Sequence, residues 1–559
     1  MMLSLAIMVN NFPKYQVGVT IDDAEYIILA RSLVSGNQFR LINYPADPPT
    51  SHYPFGFPLL LAPFAAIFPT DLSIYKILSI LATLVNATLI FWGWRLLTRK
   101  YSYWWGLGVT ALYLFSLTTI DLSGRVMSEP VFLTFYLMAM LLAERRIAGG
   151  VSRWWSLWMA VALLFVLYIR SIGIVLVISI LGYLIILTGR RFYQWLLPTL
   201  AIMAILLGLL VMATPLNTAD LFRTNYLFDR NAEFIVYLTS IFKSSTEKEL
   251  QLGPGRNDSS GVKPSDDNAR NLGDLLYDYV YLGVGQHIGL DLRSALSPLP
   301  GTDRERAIVK NLGVPFLTDL ISYLFAIIVI LGFALWFKND RITIFNFSSV
   351  IYFFTLFLWL WAEPRFLYPI LPQLITGLLM GVQGILFALA WLVKRSSNPA
   401  RSKYVAGVLA LFTILFSALF IYKGVQFADS RLHVGIIGDR VAWIKENTPL
   451  DAIIMTEYPV LDHLYSDRKT IKFPTPGVTT SEFCQYLADN QVEYILVASK
   501  VKWMQPSYQP EYSERMQIHR VKIGVLASQG NLQSDYSSEL ALLRIYRVRS
   551  IQRCPIYIE

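Results

Sequence analysis

The feature that most limits how this chain can fold is a series of apolar runs, each near the ~20 residues of helix that cross a bilayer. Such runs fall at about 72–97, 104–120, 130–143, 154–168, 172–188, 194–214, 315–337, 343–361, 366–393 and 404–422. A shorter stretch from Met1 to Val9 ends at Asn10-Asn11 and Pro13. It has neither a basic leader nor a small-residue cleavage site, so it reads as a shortened first span and not as a signal peptide. The sum is about eleven transmembrane helices in an α-helical polytopic membrane protein.

Charge supports this class. Only 16% of residues are charged and 54% are hydrophobic, whereas ordinary globular domains carry about a quarter charged residues. A formal charge of +9 would suit nucleic acid, but the Lys and Arg sit in short clusters between apolar runs, as topology signals do. Alternate connections hold Arg95, Arg99 and Lys100; Arg145, Arg146 and Arg153; Arg190 and Arg191; Lys338 and Arg341; and Lys394, Arg395, Arg401 and Lys403. These mark the cytoplasmic side. The short connections between them carry single arginines, Arg125, Arg170 and Arg365, which therefore face outward.

On this topology residues 1–425 form the transmembrane domain. Within it, 11–71 is a first extracytoplasmic loop and 215–313 a large second one, whose middle is rich in Gly, Ser and Asp. The tail, 426–559, alternates helical and strand patterns and is expected to be an extracytoplasmic α/β domain. VAWIKENT and EFCQYLADN read as helices; AIIMTEY, VEYILVAS and ALLRIYRV read as strands. Cys484 and Cys554, the only two cysteines, both fall in it, and a disulfide on the oxidising side is one of two open readings; two unrelated small apolar residues is the other.

The first outer loop holds TIDDAEYIILARSLVSG and then SHYPFGFPLLLAPF. Ile27, Leu29, Ala30, Leu33 and Val34 make a helical apolar stripe, which predicts an amphipathic helix lying on the membrane surface. Asp22 and Tyr26, four apart, share one face near its start. Two readings of the acids stand side by side. Thr20-x-x-Asp23 fits a capping box, and first-turn acids complement the helix dipole. Alternatively, a carboxylate here is a catalytic base.

DDAEY with the A-R-S-L and glycine after it, Y-P-x-G-x-P-L-L, SGRVMSEP at 123–130 and EPRFLYPILP at 363–372 together resemble the GT-C membrane glycosyltransferases. The nearer branch is the protein O-mannosyltransferase and lipid A aminoarabinose transferase type. That resemblance implies a D-E-x-x-Y motif with Asp22 as base, Asp23 in place of the Glu, and Tyr26 as its Tyr. It also implies an inverting displacement on a polyprenyl-phosphate sugar. The aminoarabinose branch has a Lys where Tyr53 stands here, with His52 before it, which argues against the same acceptor. His52 is either a proton relay or an ordinary polar loop residue.

Glu129, before a Pro at a helix start, either caps that helix or lines the site. Arg125, Arg170 and Arg365 are either interfacial anchors or phosphate ligands, since the guanidinium fork donates two charge-assisted hydrogen bonds to a phosphate. The expected partners are a polyprenyl-phosphate-linked sugar donor, the bilayer, and a glycan, lipid or protein acceptor; no nucleic acid is expected. No P-loop or Rossmann glycine pattern is present and no cofactor is expected. A divalent ion on Asp22 and Asp23 is the open alternative, but adjacent acids on a helix point ~100° apart, so no metal is expected. Two rivals remain. A lipid-linked-glycan polymerase or ligase shares the carrier; a transporter or flippase would place its charges near the bilayer midplane, not at outer helix ends.

Overall fold

The computed structural model describes residues 2–14, 16–18, 21–50, 53–97, 103–149, 154–189, 193–213, 314–339, 342–357, 364–393, 434–498, 509–538 and 543–549, with isolated positions between 407 and 418. His52, Cys554, the 215–313 loop and most of the 404–422 run lie outside these residues.

The membrane part begins with α1 (Met2–Asn11), α2 (Ile21–Val34) and α3 (Gly56–Ile67). Seven further elements run to residue 213: α4 (Lys76–Leu97), α5 (Tyr103–Phe115), α6 (Leu117–Ser123), α7 (Ser128–Ile147), α8 (Trp155–Ile169), α9 (Gly173–Thr188) and α10 (Tyr193–Ala213). After the large loop come α11 (Val314–Asn339), α12 (Ile344–Phe357), a 3₁₀ turn (Pro364–Ile370) and α13 (Leu371–Val393). Among the described residues three helical stretches are long and apolar enough to cross a bilayer, Leu72–Trp94, Tyr193–Met212 and Arg365–Ala388, and six shorter apolar helices accompany them. Leu81, Ile186, Ile205, Ile330 and Phe354 are exposed on the outside of the bundle. An apolar surface of that kind is unfavourable in water and suits lipid. The chain is a helical membrane protein.

The 104–120 run is not one helix. The Ser116 hydroxyl accepts the backbone N–H of Thr119, which ends α5 and starts the short α6. The 130–143 run, too short to span as read, extends to the twenty residues of α7 once Ser128-Glu129 and Glu144–Ile147 join it.

The C-terminal part contains α14 (Val434–Asn447), β1 (Ile453–Met455), α15 (Pro459–Ser466), β2 (Lys469–Ile471), α16 (Thr480–Asp489), β3 (Tyr494–Ala498), α17 (Gln509–Ser528), β4 (Leu532–Ser538) and β5 (Leu543–Val548). Its five-stranded sheet has the order β2-β1-β3-β5-β4. β1 is parallel to β2 and β3, and β5 is antiparallel to β3 and β4. Side chains alternate along β3: Ile495 and Val497 enter a core with Phe483, Leu487 and Leu526, whereas Tyr494 and Leu496 join Ile444 and Ile545 on the other face. Cys484, buried in the first of these cores, is disulfide-bonded.

This domain is docked on the first loop. The Thr470 N–H donates to the Asn43 carbonyl at 2.7 Å, the Lys469 ammonium to that of Ile42 at 2.8 Å, and the Tyr465 hydroxyl to that of Val17 at 2.8 Å. α15 packs on α2 through Leu464, which shares the membrane part's core. The first loop therefore differs from the expected surface helix. α2 lies between α3 and α15, with Asp23, Ala24, Tyr26 to Ala30, Ser32 and Leu33 all buried. The polar positions that suggested a wet face instead meet protein.

Candidate active site

Asp22 sits in the first turn of α2, and the ends of three other helical elements gather around it. Its Oδ2 lies 2.7 Å from Nη1 of Arg365, and its Oδ1 accepts the Tyr53 hydroxyl at 2.8 Å. Arg365 projects from the 3₁₀ turn, with Nε 3.9 Å from Oε1 of Glu129. The same Glu129 oxygen lies 2.6 Å from Nη1 of Arg170. Carboxylates and guanidiniums thus alternate as Asp22, Arg365, Glu129, Arg170, and the four formal charges cancel. Phe366 lies under both arginines, its ring centre 5.5 Å from the Arg170 guanidinium and 5.6 Å from that of Arg365.

Local sequence explains each placement. Glu129 and Pro130 occupy the first turn of α7, where a carboxylate meets free N–H groups and a proline costs no hydrogen bond. Arg170 is extended, in the break between α8 and α9. At Gly56 a Cβ would stand 2.6 Å from the Tyr168 carbonyl oxygen, so the glycine lets α3 pass directly against the end of α8 that carries Arg170. Tyr26 donates to or accepts from Ser128 at 3.2 Å, Ser128 takes a bond from Arg170 at 3.1 Å, and the Tyr26 ring packs edge-on against Tyr53 and Phe57. Burial first, then the charge of Asp22, hold the Tyr26 and Tyr53 hydroxyls above the ordinary phenol range, so both stay protonated.

The structure thus gathers Asp22, Tyr26, Tyr53, Glu129, Arg170 and Arg365. It places two other sequence candidates elsewhere. Asp23 is buried on another side of α2, where its oxygens accept the N–H groups of Gly18 and Ala24. Arg125 pairs with Asp121, one turn back in α6, at 2.6 Å. Among the described residues no group of three His, Cys, Asp or Glu side chains could hold a metal ion.

Several residues in and around the cluster escaped sequence reasoning. Asn86 of α4 donates to the Pro130 carbonyl at 2.8 Å and to the Tyr113 hydroxyl at 3.2 Å, and Tyr113 meets the Tyr368 hydroxyl at 2.7 Å. One asparagine thereby ties the start of α7 to the turn bearing Arg365. The signal was a lone Asn inside an apolar run, where polar groups are costly unless they are used. Ser128 and Tyr368 lay inside quoted motifs without a role. Glu25 is half-buried next to Asp22 and Tyr53, and burial pushes its carboxyl up to about 7.

A cavity of about 370 Å³ lies on the far side of α2, lined by Gln16, Arg31, Lys76, Lys445, Tyr465 and Asp467. Arg31 is nine residues beyond Asp22, half a turn away on the helix, so this space does not open onto the cluster.

No family model matches the chain, and no curated protein matches it in sequence. Solved structures do. ArnT from Cupriavidus metallidurans, bound to undecaprenyl phosphate, superposes with a TM-score of 0.53 at 10% identity, covering 98% of this chain and 97% of its own. The archaeal oligosaccharyltransferase AglB from Archaeoglobus fulgidus, in complex with an inhibitory peptide and a dolichol-phosphate, gives 0.50 at 12% identity over 99% of this chain and 75% of its own. The chain thus shares the fold of these two structures, which is the fold that the GT-C resemblance implies.

Proposed function

We propose that the chain is an inverting glycosyltransferase that moves a sugar from a polyprenyl-phosphate donor to an acceptor hydroxyl at the extracytoplasmic membrane face. The observation that carries this reading is the Asp22–Arg365–Glu129–Arg170 cluster, assembled from four separate elements. Two structures sharing its fold hold polyprenyl phosphates, which fits a donor of that chemistry.

Asp22 is the proposed base. Its side chain keeps 26% of its surface accessible, against 1% for Glu129, so an incoming hydroxyl can reach it. Arg365, with Arg170 behind it, takes the donor phosphate and stabilises the negative charge that grows there as the anomeric bond breaks. Glu129 Oε2 has no hydrogen-bond partner among the described residues. In this reading Glu129 orients the two arginines through Oε1. The acceptor oxygen attacks the anomeric carbon, its proton passes to Asp22, and the bonding pair leaves with the lipid phosphate.

The test is release of labelled sugar from undecaprenyl-phosphate glucose, mannose, galactose or arabinose by the purified protein in lipid nanodiscs. Water and a panel of lipid, glycan and peptide hydroxyls would serve as acceptors. Release from at least one donor, lost in Asp22→Asn, is expected; no release from any of them overturns the proposal.

A further inference from the structure

Asp22 must shed the proton it gains, and its open side is the one that substrates would fill. The opposite side offers a route. Glu25 lies one turn along α2 from Asp22, so the two carboxylates share a face. Tyr53 reaches in between them: its hydroxyl bonds Asp22 Oδ1 at 2.8 Å and is also within hydrogen-bonding range of the Glu25 carboxyl. Past Glu25 stand Tyr44 of the first loop and the exposed Lys472, just after β2 in the docked C-terminal domain. Among the described residues, Asp22, Tyr53, Tyr44 and Lys472 are the titratable groups that interact with Glu25 from α2, the first loop and the C-terminal domain.

We infer that Glu25 is the outlet of a proton relay, in which Tyr53 passes the proton received by Asp22 to Glu25 and on to water beside Lys472. The inference rests on Asp22 being the base, as proposed above. In the relay step the Tyr53 hydroxyl rotates to give its proton to ionised Glu25 while taking one from protonated Asp22. Tyr53 ends as it began, Asp22 is again a carboxylate, and Glu25 releases the proton to solvent. The chemistry suits the direction of transfer. Burial, and then the neighbouring Asp22 charge, raise the Glu25 carboxyl to about 7, against the opposing bond from Tyr53 and the charge of Lys472. Glu25 is therefore a better proton acceptor than an ordinary carboxylate and still ionises near neutrality.

Two measurements test this. The first is sugar release from the same undecaprenyl-phosphate donors, with water as acceptor, followed across pH. In the wild type the turnover number should rise with pH through about 7. Glu25→Gln and Tyr53→Phe should each lose that rise and fall by roughly 10²-fold at the alkaline end, the lower end of what a positioned proton-transfer group contributes. The double variant should lose no more than either alone, and Glu25→Asp should restore a rising limb. The second is an infrared titration of the carboxyl C=O band, which needs no turnover. A band that disappears through neutral pH and is absent from Glu25→Gln is expected. Active wild type with an unchanged pH profile in Glu25→Gln, or no such band, overturns the relay and leaves the proposed function standing. A wild type that releases no sugar from any donor overturns both.

Discussion

Asp22→Asn separates catalysis from structure by magnitude. The substitution removes one charge and leaves the side chain's shape. The amide that replaces the carboxylate can still accept the Tyr53 hydroxyl through its remaining oxygen, and Arg365 keeps Glu129 at 3.9 Å, so no buried charge is stranded. The broken Asp22–Arg365 pair is about a quarter exposed on each side, and ion pairs this open to solvent stabilise by about 1 kcal/mol or less. A lost base costs ~10²–10⁴ in rate, or about 3–5 kcal/mol of barrier. Sugar release should therefore collapse while thermal unfolding stays near wild type and donor binding is no weaker. Asp23→Asn should do the reverse. That carboxylate is buried against the Gly18 and Ala24 N–H groups, so its loss costs about 1–3 kcal/mol of stability with turnover per folded molecule preserved. Near-wild-type release by Asp22→Asn would refute the assignment of the base, whatever its effect on folding.

Three further outcomes follow from the same geometry. Glu129→Gln leaves Arg170 buried opposite a neutral amide and should destabilise by about 3–5 kcal/mol, read by thermal unfolding in nanodiscs; an unchanged transition would show that the pair does not hold the cluster. Arg365→Lys keeps the charge but loses the fork, so the dissociation constant for undecaprenyl phosphate should rise about 10- to 100-fold with folding intact; unchanged binding would remove Arg365 from the phosphate site. Glu25 is raised in the fold from 4.5 to about 7, so its contribution to stability is present below about pH 4.5 and is lost as pH rises through about 7. Thermal stability should fall over that window in the wild type and less so in Glu25→Gln, and identical pH profiles would contradict the shift.

Many of the apolar runs were legible as helices because their length and composition are strong, local signals. The helix ends that carry Glu129, Arg170 and Arg365 could be read from single charged residues bounding apolar runs. The Tyr494–Ala498 strand was likewise visible as a short apolar run. What escaped depends on tertiary partners. The Ile27–Val34 stripe is compatible with a surface helix until α15 covers its other side, and α15 itself comes from a segment more than 400 residues later. β2 is only three residues long and takes its edge partner, Asn43, from the first loop, so no periodicity could announce it. Asp22 and Asp23 are adjacent acids in one turn, equal in sequence. Their fates divide only because Arg365 and Tyr53 meet one and Gly18 the other.

The resting cluster has a consequence for how a base so close to an arginine can work. With Arg365 at 2.7 Å, Asp22 Oδ2 is occupied by a guanidinium and the charges of the cluster are balanced. A donor phosphate changes both terms of that balance. It competes for the Arg365 fork, and it brings a negative charge into a site whose own charges cancel. On the proposed mechanism each effect frees the Asp22 carboxylate to meet the acceptor hydroxyl. On that mechanism Asp22 is released from Arg365 when the donor binds and is covered by it when the site is empty. The Tyr352 hydroxyl fixes the Phe366 carbonyl at 2.6 Å, and the Tyr113–Tyr368 contact anchors the same 3₁₀ turn. Arg365 can thus exchange partners by side-chain rotation on a fixed backbone. Removing the anchor should blur the exchange: Tyr352→Phe leaves every charge in place, yet should weaken undecaprenyl phosphate binding and slow sugar release together. If Tyr352→Phe lowers thermal stability alone, with both functional readouts unchanged, a fixed turn is not required for Arg365 to move between carboxylate and phosphate.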